Sequence, residues 1–107
     1  MKIVSFKKNG AASYGVVIDN GIIDLGARLG SDFPRLIDIL RADAIDKIES
    51  VIDGQEPDFQ INDVILQIPI PAPEKIICIG VNYGNRNEEY KDGSDAPEFP
   101  SVFLRTP

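Results

Sequence analysis

Prolines at three alternate positions, Pro69, Pro71 and Pro73, constrain this chain more than any other feature. Each removes a backbone donor and biases the residue before it away from helix, so neither a helix nor an interior strand runs through this stretch. The segment reads as an extended connector. A chain of 107 residues accommodates one modest domain, or a small domain and the start of another, but not two complete cores. We therefore expect one domain at residues 1–68 and a second, incomplete one at 69–107.

Before the connector the chain is punctuated by turn residues. Lys2 to Phe6 is strand-like, and Asn9-Gly10 supplies the positive φ angles of a tight turn before a second strand, Ser13 to Ile18. Asp19-Asn20-Gly21 repeats the signal and leads into Ile22 to Leu25, which predicts a three-stranded antiparallel meander. After Gly26 to Gly30 the apolar period becomes helical. Ser31 or Asp32 is the expected cap of a helix with Pro34 in its early turn and Leu36, Ile37 and Leu40 at helical spacing. Asp43 is the expected cap of a second helix, with Ile45, Ile48 and Ile52 on one face and Gly54 as its stop. Phe59 and Ile61 then alternate in one parity and Val64, Leu66, Ile68 and Ile70 in the other, which predicts a bulge or turn near Asn62-Asp63 between two strand pieces.

Beyond the prolines the pattern changes again. Lys75 to Val81 is almost wholly apolar and reads as a strand covered on both faces, with Cys78 as a buried structural thiol. Gly80 within it suggests the close approach of another backbone. Residues 85–91 can begin a helix, 92–100 read as a loop, and Ser101 to Leu104 is a final strand-like run. Nothing after that run is available to cover or pair it, which suggests truncation.

Composition excludes several classes of function. The chain contains no histidine, so a self-contained Ser-His-Asp, Cys-His or histidine-bearing zinc site is ruled out. Cys78 is the single cysteine and forms no internal disulfide. Seventeen acidic against eleven basic residues give a net charge of -6, which repels phosphate backbones and anionic lipid, so no nucleic-acid partner is expected. No apolar run approaches the roughly twenty residues needed to cross a bilayer, so no membrane partner is expected. The opening Met-Lys-Ile-Val-Ser-Phe-Lys-Lys lacks the features of a secretory signal, and we expect a cytoplasmic location.

The densest polar cluster is Asn82-Tyr83-Gly84-Asn85-Arg86-Asn87-Glu88-Glu89-Tyr90, just after the most apolar strand, where ligand sites often collect. A solvated helix start explains the same residues without a ligand. The run Pro-Ile-Pro-Ala-Pro-Glu-Lys-Ile-Ile-Cys-Ile-Gly-Val-Asn-Tyr, residues 69–83, resembles the connector, strand and Gly-x-Asn-Tyr turn that open the catalytic domain of the fumarylacetoacetate hydrolase family. Arg86-Asn87-Glu88-Glu89 falls where many members carry His-x-x-Glu, and Pro97 to Arg105 resembles the family's Pro-x-x-Pro-x-x-Phe-x-Lys strand. The match covers roughly residues 66–107, while residues 1–65 look more loosely like the small N-terminal domain of bacterial members.

The resemblance implies an α+β chain: a small antiparallel β-meander with two short helices, followed by the first strands of a mostly-β catalytic domain. It implies a metal-dependent enzyme acting on 2-oxo or 1,3-dicarbonyl acids by carbon-carbon bond hydrolysis, decarboxylation or isomerisation, working as a homodimer on a small-molecule oxo-acid. A non-enzymatic binding or assembly module is the alternative. Glu89 keeps the family's catalytic carboxylate, whereas Arg86 stands in place of the histidine; an arginine stays protonated and clamps a substrate carboxylate rather than moving a proton. Arg105 stands where many members have a substrate-facing lysine, and Asn82 and Tyr83 complete the implied substrate-binding set. Each also has a structural reading: Asn82 as a cap, Tyr83 as packing, Arg86 with Glu89 as an i,i+3 pair.

The family's ion, Mg2+ or Mn2+, is held by a Glu-x-Glu element and a later acidic residue; no Glu-x-Glu occurs in these 107 residues. Asp92, Asp95 and Glu98 read as solvated surface without the spacing of a calcium loop. Calorimetric titration of magnesium or manganese into the 107-residue chain is therefore expected to show no micromolar binding, and an acylpyruvate-type substrate no turnover. Either one would place a complete site within these residues.

Overall fold

The computed structural model describes residues 1–80 and 99–106. The chain divides into two compact units, Met1–Pro71 and Ala72–Pro107, each an assembly of short elements.

In the first unit the turn signals set the strands. Strand β1 (Lys2–Lys8) pairs antiparallel with β2 (Ala11–Ile18), and β2 with β3 (Gly21–Asp24). Asn9 and Gly10 close the first turn at φ of 50° and 84°, and Asp19 the second at 51°. Two short strands, β4 (Phe59–Gln60) and β5 (Ile65–Gln67), complete a five-stranded sheet of order β4-β3-β2-β1-β5. The expected break at Asn62-Asp63 is a 3-10 turn, Ile61–Asp63, between β4 and β5.

Those two strands lie at opposite edges of the sheet, yet only residues 61–64 join them. In a flat sheet the edges would be four strand spacings, about 19 Å, apart. Four residues, three of them wound in a 3-10 turn rising about 2 Å each, cannot reach that far. The sheet therefore curls. Across the curl the Phe6 and Phe59 rings meet edge to face with centroids 5.4 Å apart, and Lys8 Nζ lies 4.1 Å from the centre of the Phe59 ring. The register puts Ile22 opposite Phe59 and Phe6 opposite Leu66, so Phe6, Ile22, Phe59 and Leu66 share this inner face.

Three helices cover the other face. They are α1 (Leu25–Leu29), α2 (Leu36–Arg41) and α3 (Ile45–Ile52). Tyr14, Val16 and Leu25 form the core with Leu36, Ile39, Ala44 and Ile48, and Leu25, Ile39 and Ile48 are fully buried. The Tyr14 hydroxyl donates to the Phe33 carbonyl at 2.6 Å, tying β2 to the loop that enters α2. Burial, followed by the charges of Asp38 and Asp24, raises the Tyr14 pKa above its ordinary value, which keeps the hydroxyl a donor.

Helix starts and ends differ from the sequence expectation. Leu25 does not end β3 but opens α1, the helix that the glycines at 26 and 30 concealed; a Cβ at Gly26 would collide with Ser13 Oγ, so the helix packs this closely only with glycine there. Neither Ser31 nor Asp32 caps α2, and Pro34 precedes its cap, Arg35, whose amide donates to Asp38 Oδ2 at 3.1 Å. Asp43 does not start α3. It stands at φ 50°, donating its amide to Leu40 O while Ala44 donates to Ile39 O, so it closes α2 in a Schellman arrangement and Ala44 caps α3. Gly54, at φ 65°, follows the end of α3.

In the second unit, β6 (Ile76–Gly80) pairs antiparallel with β7 (Ser101–Arg105). Three expectations are overturned here. β6 is not covered on both faces: Ile77 is 64% exposed and Ile79 60%, because the second sheet has two strands and no described layer packs on it. Cys78 is only half-buried, and among the described residues a Cβ at Gly80 would meet no backbone but only the Phe103 ring at ordinary contact distance.

Truncating Ile48 to alanine removes a fully buried side chain between helix and sheet, and urea unfolding should show a loss of about 2–5 kcal/mol. Tyr14→Phe should cost about 1 kcal/mol, since it leaves the Phe33 carbonyl without its donor.

Candidate functional site

Of the five residues singled out in the sequence, only Arg105 lies among the described residues. Asn82, Tyr83, Arg86 and Glu89 fall within 81–98, outside them, as do Asp92, Asp95 and Glu98. Arg105 is the last residue of β7, exposed, and opposite Ile76. Ile76, Cys78 and Gly80 share a face with Arg105, Phe103 and Ser101, while Ile77, Ile79, Val102 and Leu104 form the other. β6 runs from the Arg105 end toward Gly80, and the segment bearing Asn82 and Tyr83 begins just after it. Four residues of strand, about 14 Å, separate Gly80 from the level of Arg105.

The described residues contain no cluster of three or more Cys, Asp or Glu side chains able to hold a metal ion. The donor set of the described residues does not fit Mg2+ or Mn2+.

The densest polar arrangement the structure displays is one that sequence reasoning missed. Asp24 caps α1 by accepting the Ala27 amide at 3.1 Å and also accepts the Ser13 hydroxyl at 2.6 Å. Arg28 grips Asp58 through both terminal nitrogens, the longer bond 3.0 Å, and donates to the Asp24 carbonyl at 2.9 Å. Asp58 also accepts the Asp24 amide at 2.7 Å. The Arg28 hydrogen bond, assisted by the Asp24 amide, holds the Asp58 pKa below the usual carboxylate range. The helix-cap signal at Asp24 was legible locally, but its partner Asp58 lies 34 residues away. Every group in this node is occupied by another, and among the described residues no buried side-chain polar atom lacks a partner. The node joins α1 to the segment entering β4.

Comparison with known proteins adds what the hairpin alone does not carry. No family profile matches the chain. A relative named oxaloacetate tautomerase fahd2, mitochondrial, from Xenopus laevis is 34% identical over 109 aligned positions, which take in 96% of this chain. Its symbol denotes a fumarylacetoacetate hydrolase domain-containing protein. The chain is similar to this fumarylacetoacetate hydrolase family protein along nearly its whole length. The aligned part is 34% of the relative, so the chain spans about a third of that protein's length. Among the described residues, no helix is long and apolar enough to cross a membrane.

The node generates a pH test. Because the Asp58 pKa is depressed in the folded chain, its contribution is present above the unfolded carboxylate value of about 3.9 and fades as pH falls through the folded value. Asp58→Asn should lower stability at pH 7 by about 1 kcal/mol, a modest figure because the pair is partly exposed. Urea unfolding near pH 3 should show a smaller difference between the two chains; an equal difference at both pH values would detach Asp58 from acid stability.

Proposed function

We propose that the protein is an enzyme acting on 2-oxo acids, that keto–enol isomerisation is its reaction, and that this chain supplies a supporting domain and one wall of the pocket. The observation that carries the reading is the similarity to an oxaloacetate tautomerase along 96% of the chain, added to the residue pattern at 69–105. Hydrolysis and decarboxylation are the branches the family resemblance also allows, and the relative's name favours isomerisation among them.

The chemistry asks for two things. A dicarboxylic 2-oxo acid carries two anionic ends, and bidentate guanidinium groups bind such ends while fixing their orientation. Arg86 and Arg105 take that role, with Asn82 and Tyr83 as hydrogen-bonding partners. Isomerisation then breaks a C3–H bond as the C2=C3 double bond forms and O2 gains a proton, and the return reverses each change. Glu89 is the group that holds the C3 proton, since Arg86 remains protonated and cannot. The divalent ion implied by the family belongs to the Glu-x-Glu carboxylates, which these residues lack. A cytoplasmic setting and a homodimer remain part of this proposal.

The replacement of the family histidine by Arg86 favours the second reading, a binding or assembly module without the chemistry. Following the decay of enol-oxaloacetate absorbance with the full-length protein separates the two. The enzyme reading expects Glu89→Gln to lower kcat by roughly 10²–10⁴-fold. Arg86→Lys should instead weaken substrate binding by about 1–3 kcal/mol through loss of the two-point contact. Substrate binding without turnover in the unmodified protein would favour the module.

A further inference from the structure

We draw no further inference here: the strongest candidate, the exposed apolar face of the β6–β7 hairpin formed by Ile77, Ile79, Val102 and Leu104, carries nothing because nothing in the structure shows what covers it.

Discussion

The short link between β4 and β5 is the constraint on which the first unit depends. It joins opposite edges of one sheet, so the sheet must curl, and curling gives it two different apolar faces. The inner face closes on Phe6, Ile22 and Phe59, and the outer face takes the helices on Tyr14 and Val16. Few residues build both cores because every strand contributes to each face by simple alternation. The Arg28–Asp58 pair and the Asp24 amide hold the segment that enters β4, so a polar node fixes the position from which the curl is closed.

The polar groups of the first unit serve its own folding. In the first unit the described polar groups satisfy one another: Ser5 donates to the Pro69 carbonyl at 2.6 Å, Tyr14 to Phe33, and Ser13 and Arg28 to the Asp24–Asp58 node. The residues assigned to substrate all belong to the second unit, on the hairpin or the segment between its strands.

Much of the first unit was legible because its signals are local. Asn9-Gly10 and Asp19 to Gly21 mark turns through backbone angles that few residues adopt, and the alternation of Tyr14, Val16 and Ile18 names the face that packs. The helix ends were less legible. Asp43 serves as well in a left-handed closing position as at a helix start, and only hydrogen bonds to Leu40 and Ile39 distinguish the two. The bond between Arg28 and Asp58 had no sequence signal because thirty residues separate the partners. β6 was overread: a continuous apolar run describes a strand that two layers would suit, and it does not put those layers there. The candidate site was legible only through its resemblance to a family, since Asn, Arg and Glu at a helix start have no distinctive physics of their own.

The account rests on the claim that residues 1–71 close their own core. Amide hydrogen exchange on that segment alone, compared with the 107-residue chain, tests it most directly. Protection of Val16, Ile23, Ile39 and Ile48 should be the same in both, because their packing and hydrogen bonds lie within the segment. Loss of that protection in the shorter segment would contradict the claim and make the second unit part of the first unit's core.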